Sequence, residues 1–495
     1  MSTLLENLGA LGTRVTPCNA KPLAKDADFV LYWMIAHRRT HYNFALDRAV
    51  GWARALNKPL LVFEPLRVGY PWASDRLHAF VLAGMRDHQA HFEDRRVLYY
   101  PYVEPSAGAG KGLLAELAKR ACLIVTDEFP CFFLPRMVAA AARNVPCRME
   151  QVDSNGLLPL RATTRTFLTA HSFRAFLQKV LPEHAAHQPR KDPSADPRLS
   201  TRSLLPREIR RRWPPASPAL LAVEPRALAR LPIDHSVGVA ELPGGDGAGR
   251  ARLRLFVRSK LTDYAGARRL PEQDGSSKLS PYLHFGHVSV HEIFLQVKRA
   301  EGFGLDQLSP RRGAREGYWP SSASAAAFLD ELVTWREIGF NMCHTRSDYH
   351  AYASLPGWAK ATLANHADDP RPHRYSLAAL EAGRTHDPIW NAAQMQMVRE
   401  GWFHNQLRML WGKKILEWSA SPKAALKAMV HLMGKYSLDG RNPNSWTGFF
   451  WVLGRYDRPW GPERPIFGKV RYMTSQSMAR KVPLENYVAR YTESP

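Results

Sequence analysis

Uninterrupted apolar runs alternate with helical patterns over the first third of the chain. Apolar runs of four to eight residues are typical of strands that are buried on both faces of a parallel sheet. The predicted strands are FVLYWMI (29–35), LLVF (60–63), LIVTDE (123–128) and CRMEQVD (147–153). Helical periodicity lies between them, as in HYNFALDRAVGWARALN (41–57) and GLLAELAKR (112–120). The alternation predicts a doubly wound, Rossmann-like α/β domain with a mainly parallel sheet over residues 25–180.

The pattern changes after residue 180. Residues 181–250 are rich in Pro, Arg and Ser, which predicts a long interdomain connector without a sheet of its own. From 251 to 485 the pattern is helical almost throughout, and its clearest segments are 327–343, 386–418 and 422–436. The fold class expected is therefore an α/β domain followed by an all-helical domain.

The positive net charge of the chain indicates what kind of molecule it binds. The chain has 68 Lys and Arg residues against 45 Asp and Glu, a formal net charge of +23. This balance favours nucleic acid, because neutralising phosphates releases counterions, although a merely basic protein is the alternative. The five cysteines and the histidines show no metal-ligand spacing, so no metal is expected. The absence of a signal peptide and of a long apolar run predicts a cytoplasmic protein without a membrane span.

Four segments of the helical half carry candidate chemistry, and each has a structural alternative. GSSKLSPYLHFG (275–286) offers hydroxyls, a lysine and backbone amides to a phosphate, but Ser-rich helix starts are common. Glu331 and Trp335 are four residues apart, which places a carboxyl beside an indole on one helical face, as an ordinary amphipathic helix also does. Trp411 and Trp418 share a helix face, a spacing usual in cores. LDGRNPN (438–444) is a turn-rich acidic loop.

Taken together and in this order, these segments strongly resemble the photolyase–cryptochrome family, and its class II cyclobutane pyrimidine dimer (CPD) photolyases above all. The matching motifs are SSKLSPYLHFGHVS, DELVTWRE, HDPIWNAAQ, WFHNQLRM, YSLDGRNPN and ERPIFGKVRYM. The resemblance covers most of residues 255–475 and extends more loosely to the N-terminal sheet. It implies light-driven repair of pyrimidine dimers in UV-damaged DNA, by electron transfer from reduced FAD bound in the helical domain.

The resemblance assigns roles residue by residue. Glu331 matches the acid that hydrogen-bonds the dimer, and Trp335, Met409 and Trp451 match the apolar walls around it. The positions that match the flavin site are Tyr264, Ser276, Ser277, Lys278, Leu279, Ser280, Arg336, Asn405, Arg408 and Asp439. Arg408 and Asp439 are expected to form an ion pair beside the flavin. Trp411, Trp390 and Trp418 match the tryptophans that carry electrons to oxidised flavin, with Tyr375 as a further candidate member.

One position departs from the class II pattern. Met433 stands where these enzymes carry an Asn beside the flavin N5, which replaces a hydrogen-bonding amide by a thioether and predicts altered photoreduction. This departure keeps a cryptochrome-like photoreceptor without repair activity as the alternative function. A third interpretation, a helical nucleic-acid-binding protein without a cofactor, requires every motif to be core packing. The sequence leaves open whether a second, antenna chromophore is present, and a monomer is expected.

Overall fold

The computed structural model describes residues 12–201 and 205–492. Its single sheet has six strands in the order β1-β6-β5-β2-β3-β4, all parallel except β1, which pairs antiparallel with β6. The strands are β1 (Val15–Pro17), β2 (Phe29–Trp33), β3 (Leu60–Leu66), β4 (Val97–Val103), β5 (Ala121–Asp127) and β6 (Arg148–Val152). The four predicted strands are confirmed, and the two edge strands β1 and β4 were not predicted.

Helices cover both faces of this sheet. Those that lie between its strands are α1 (Phe44–Leu56), α2 (Asp75–Glu93), α3 (Leu113–Ala118) and α4 (Leu134–Asn144), and the long α5 (Ala170–Ala186) follows. The side chains of β2 alternate between two cores: Leu31 packs with α3 and α4, and Val30 packs with α1. A strand with both faces buried needs an unbroken apolar sequence, which FVLYW provides.

The rest of the described chain is helical. Its helices are α6 (Arg207–Arg212), α7 (Pro218–Leu221), α8 (Pro225–Leu228), α9 (Asp246–Ser259), α10 (Tyr264–Ala267), α11 (Ser280–Phe285), α12 (Val290–Glu301), α13 (Ala323–Leu329), α14 (Arg336–Thr345), α15 (Gly357–Asn365), α16 (Leu377–Glu381), α17 (Pro388–Glu400), α18 (Asn405–Trp418), α19 (Pro422–Tyr436), α20 (Pro443–Val452), α21 (Ser475–Ala479) and α22 (Glu485–Thr492). The predicted fold class, a parallel sheet with helices followed by a helical region, is confirmed.

Two predicted helices differ in detail. The segment 386–418 is two helices, α17 and α18, because Gly401 takes a left-handed conformation with φ of 70° and ends the first one. The segment 327–343 contains a π-helical stretch, Asp330–Trp335, between α13 and α14. Such stretches are frequent at functional sites, and this one carries both Glu331 and Trp335.

Buried polar contacts join the sheet to the helical region. The ring of His88, on α2, contacts Glu64 of β3 at 2.7 Å and Asp246, the first residue of α9, at 3.1 Å. Glu337 of α14 accepts hydrogen bonds from the backbone amides of Leu157 and Leu158 at 2.8 and 2.9 Å. Among the described residues, no helix is long and apolar enough to cross a membrane.

Candidate active site

A cavity of about 490 Å³ opens in the helical region. It brings together residues that the sequence spreads over almost two hundred positions. The predicted residues that line it are Tyr264, Ser276, Ser277, Lys278, Leu279, Ser280, Glu331, Trp335, Arg336, Asn405, Arg408, Met409, Trp411, Met433, Asp439 and Trp451. Trp390, Trp418 and Tyr375 lie outside the cavity and are reached through Trp411, as described below.

The serine-rich segment before α11 forms one wall. Arg252 holds it through its carbonyls: Nε donates to the oxygen of Ser277 at 2.8 Å and Nη2 to that of Ser276 at 3.3 Å. Lys278 takes a left-handed backbone conformation with φ of 52°, and its ammonium lies 5.4 Å from the ring centre of Trp402. The wall therefore offers serine hydroxyls and one cation to the cavity, a donor set that suits a diphosphate.

An ion pair lies in the cavity wall beside this segment. Arg408 donates two parallel hydrogen bonds to Asp439, at 3.1 and 3.0 Å. The Ser437 hydroxyl donates to the same carboxylate at 2.7 Å. Burial disfavours the charged carboxylate, but Arg408 and the hydroxyls of Ser280 and Ser437 outweigh it and hold the pKa of Asp439 below its usual range. The predicted pairing is present in the structure.

Glu331 lies on the π-helical stretch beside Trp335. Its Oε1 contacts Nη2 of Arg268 at 2.9 Å, a partner that the sequence did not suggest. Burial nevertheless raises the pKa of the Glu331 carboxyl above its usual range, since desolvation outweighs the attraction of Arg268. A carboxyl group with a raised pKa that borders a cavity is suited to donating a hydrogen bond to a carbonyl group.

Arg336 and Glu337 continue that helix on its buried side. The Arg336 guanidinium donates to the carbonyl of Asn155 at 2.7 Å and lies 4.3 Å from the ring centre of Phe340. Burial lowers the pKa of Arg336 to about 10, and burial raises that of Glu337 to about 7. Arg336 therefore connects the cavity to the loop after β6.

Trp451, near the end of α20, is flanked by two cations. The Lys413 ammonium lies 4.9 Å and the Arg471 guanidinium 5.5 Å from its ring centre. Lys413 is fully buried and donates to the carbonyl of Val452 at 2.6 Å, which satisfies a free carbonyl at the end of α20. Burial lowers the pKa of Lys413 to about 7. These contacts restrict the orientation of the Trp451 indole.

A chain of aromatic rings runs from the cavity to the surface. Trp411 and Trp390 stack with ring centres 6.4 Å apart and an interplanar angle of 2°. Trp390 contacts Trp418 at 5.3 Å, and Trp418 contacts the partly exposed Tyr375 at 5.2 Å. The three tryptophans are buried. The four predicted residues thus form a series of neighbouring rings, with centre-to-centre distances of 5.2 to 6.4 Å, that begins at the cavity wall.

Met433 lies in the cavity wall at the C-terminal end of α19. Its carbonyl accepts from the amide of Ser437 at 3.0 Å. A side chain at Gly440 would come within 1.9 Å of the same oxygen, so this turn packs tightly on the helix end. Met433 and Asp439 both line the cavity, and the predicted place of Met433 beside the flavin N5 stays a prediction.

A second cavity, of about 440 Å³, lies at the carboxyl ends of β2, β3 and β4. Its walls are mostly aromatic and aliphatic, with a few charged groups, including Arg38, Lys111 and Arg441. Ligands of open α/β sheets bind at this edge. The sequence contains no diagnostic motif that predicts a ligand for this cavity.

One group of described residues could hold a metal ion: donor atoms of His41, His91 and Asp192 lie within 4.8 Å of one another, outside both cavities. The Asp192 carboxylate already contacts Arg95 at 3.1 Å and accepts from the hydroxyl of Ser194 at 2.6 Å. The expectation of no metal stays a prediction.

Over almost its whole length the chain is similar to proteins named deoxyribodipyrimidine photo-lyase. It is 32% identical to the deoxyribodipyrimidine photo-lyase of Methanothermobacter thermautotrophicus over 96% of this chain and 97% of that protein. It is also 32% identical to the enzyme of that name from Oryza sativa subsp. japonica, over 93% and 87% of the two chains. The deoxyribodipyrimidine photo-lyase of Potorous tridactylus is 32% identical as well, over 92% of this chain and 80% of that protein. No protein-family model matches the chain.

Solved structures agree on the fold. A bacterial class III photolyase from Agrobacterium tumefaciens superimposes with a TM-score of 0.65 at 17% identity, covering 94% of this chain and 86% of the other. A Synechocystis cryptochrome gives 0.66 at 16% identity, over 94% and 88%. The sheet and the helical region thus have the fold of these two proteins, and the 32% identity to photo-lyases over most of both chains shows the family. The chain belongs to the photolyase/cryptochrome family.

Proposed function

We propose that the protein is a deoxyribodipyrimidine photolyase of the class II type, a lyase that splits cyclobutane pyrimidine dimers in UV-damaged DNA. The observation that carries the proposal is the cavity, in which a phosphate-type wall, the Arg408–Asp439 pair and the group of Glu331, Trp335, Met409 and Trp451 meet. Near-full-length similarity to three photo-lyases supports the same activity.

The cavity residues fit a flavin dinucleotide. Lys278 and the serines 276, 277 and 280 would bind its diphosphate, and Arg408 with Asp439 would flank its polar ring edge. His284 also lines the cavity, and its buried Nδ1 has no hydrogen-bond partner among the described residues. Because buried polar atoms are normally hydrogen-bonded, this nitrogen fits a polar atom of a bound ligand. Bound FAD, when reduced and excited by light, would supply the electron that splits the dimer.

The protein's own residues would bind and orient the dimer. A dimer has to leave the duplex to enter the cavity, and a damaged, poorly stacked base costs less to flip out. Trp335, Met409 and Trp451 would replace its lost stacking with apolar contact. In its protonated form Glu331, whose pKa is raised by burial, would donate to a pyrimidine carbonyl and stabilise the negative charge that develops there.

A cryptochrome-like photoreceptor is the alternative, and Met433 favours it because it changes the expected flavin environment. The apolar walls and Glu331 speak for repair, because a light sensor has no need of them. We also infer a monomer that works in the cytoplasm, and we assign an antenna chromophore, if one is bound, to the second cavity. These inferences rest on the family resemblance and on the position of that cavity.

Light-dependent dimer loss tests the proposal. The purified protein should be yellow, and after chemical reduction of its flavin it should remove dimers from an irradiated oligonucleotide under blue light but not in the dark. A yellow protein that leaves dimers intact in both conditions would favour the photoreceptor. A colourless protein that binds DNA would favour the interpretation without a cofactor.

A further inference from the structure

At the surface end of the aromatic chain, Tyr375 forms a hydrogen-bonded pair with His386. The phenol oxygen lies 2.6 Å from Nδ1 of His386, and it also accepts from the backbone amide of His386 at 3.0 Å. The same imidazole contacts the Trp418 ring at 5.4 Å and stacks on His373 at 3.8 Å. His386 is exposed, so its ring can exchange protons with water.

We propose that His386 is the base that accepts the phenol proton of Tyr375 when Tyr375 loses an electron to Trp418. The proposal rests on the proposed function, which supplies the oxidant: FAD bound in the cavity would, after excitation by light, withdraw an electron through Trp411 and Trp390 and leave Trp418 as a radical cation. The family resemblance predicts Tyr375 as a further electron-transfer residue but assigns no role to His386.

The step balances in charge and atoms. One electron passes from the phenol of Tyr375 to the indole cation of Trp418, which becomes neutral again. The phenol O–H bond breaks, and its proton forms an N–H bond at Nδ1 of His386. The products are a neutral tyrosyl radical, a neutral indole and an imidazolium, so the single positive charge moves from Trp418 to the exposed His386.

The geometry favours this transfer. A distance of 2.6 Å is within hydrogen-bond reach, so the proton can move without any rearrangement of heavy atoms. Without a base the phenol would keep its proton as a strongly acidic radical cation, and the electron would return from Trp418 to Tyr375. Moving the charge to a solvated imidazolium removes this driving force for return.

The surroundings keep the imidazole ready to accept. Partial burial, His373 on its loop and Lys414 on α18 lower the pKa of His386, against the opposing effect of Asp387 and Glu417. A lowered pKa favours the neutral ring, whose Nδ1 is able to accept a proton. Protonation at lower pH should occupy Nδ1 and block the transfer.

Transient absorption of the FAD-containing protein after a light flash tests the proposal. In the wild type we expect a long-lived neutral tyrosyl radical, formed more slowly in D2O and more slowly as the pH falls below about 6.5, the ordinary pKa of histidine. His386→Phe keeps a stacked ring and the backbone amide but removes the base. Its tyrosyl formation should be slower by about 10²-fold or more, without the pH dependence.

Two matched variants and one assay complete the design. Tyr375→Phe should abolish the radical, and His373→Phe should leave it in place. A wild-type radical yield and isotope effect in His386→Phe, with normal flavin content and melting temperature, would overturn the proposal. Dimer repair by the chemically reduced protein should be unchanged in His386→Phe, and a wild type that fails this assay refutes the proposed function instead.

Discussion

Arg408 and Asp439 contact each other through both guanidinium nitrogens and both carboxylate oxygens, at 3.1 and 3.0 Å, in the wall of the main cavity. Neither is fully exposed, and the carboxylate is held further by Ser437. A partly buried pair of this kind leaves an uncompensated charge when one partner is removed. The pair therefore couples the stability of the fold to the integrity of the cavity wall, where we propose that the flavin binds.

Asp439→Asn should lower the free energy of unfolding by about 3 kcal/mol and reduce the FAD content of the purified protein. Asp348→Asn is the matched control, since Asp348 pairs with Arg346 at 2.7 Å on the exposed surface. That control should cost less than about 1 kcal/mol. Equal losses in the two variants, measured by thermal melting and flavin absorbance, would contradict the role of the cavity pair.

Trp390→Phe should abolish photoreduction of oxidised flavin, because Trp390 lies between Trp411 and Trp418 in the aromatic chain. Repair by chemically reduced protein should persist, since the role proposed for the aromatic residues is activation of oxidised flavin alone. Trp319→Phe changes another buried tryptophan, which packs among Phe294, Phe303 and Tyr318. Flavin bleaching under blue light compares the two. Photoreduction that survives in Trp390→Phe would exclude this route.

Met433→Asn restores an amide at the cavity wall. We expect it to change the separation of the two one-electron potentials of the flavin, because an amide can hydrogen-bond a ring nitrogen and a thioether has little such capacity. Met433→Leu keeps the wall apolar and should leave the potentials unchanged. Spectroelectrochemical titration measures both. Identical titrations of Met433→Asn and the wild type would show that this position does not influence the flavin.

The His88 contact between sheet and helical region predicts a pH effect on stability. Burial opposes the charged imidazolium, but Glu64 and Asp246 outweigh it and raise the pKa of His88 to about 10. The folded state therefore binds a proton more tightly than the unfolded state. This contribution is complete below about pH 6.5 and is lost as the pH rises towards 10.

Melting temperatures between pH 6 and 10 test that effect. The wild type should lose stability over this range relative to His88→Gln, which carries no titratable ring. His235→Gln, at an exposed histidine that contacts Asp75 at 2.8 Å, should follow the wild type. Parallel curves of melting temperature against pH for His88→Gln and the wild type would mean that the His88 imidazolium does not stabilise the contact between the sheet and the helical region.

The sequence predicts the central strands and the cavity residues far better than it predicts the edge strands of the sheet and the side chains that pair with the cavity residues. β2 is an unbroken apolar run because both faces are buried, whereas β4 (VLYYPYV) lies at the edge, contains a proline and three tyrosines, and is half-buried at Leu98 and Tyr99. Arg268 could not be found as the partner of Glu331, since their contact depends on how α10 packs beside the π-helical stretch. Four of the six motifs, SSKLSPYLHFGHVS, DELVTWRE, WFHNQLRM and YSLDGRNPN, line the cavity, which is why their order in the sequence identified its residues.

Photorepair by a single pair of variants tests the central claim most directly. The chemically reduced wild type should split dimers in an irradiated oligonucleotide under blue light, and Glu331→Ala should split them about 10²-fold more slowly at equal flavin content. Glu316→Ala, an exposed acid on the loop before α13, should match the wild type. Equal dimer loss in Glu331→Ala and the wild type, or no light-dependent loss in the flavin-loaded wild type, would contradict the account.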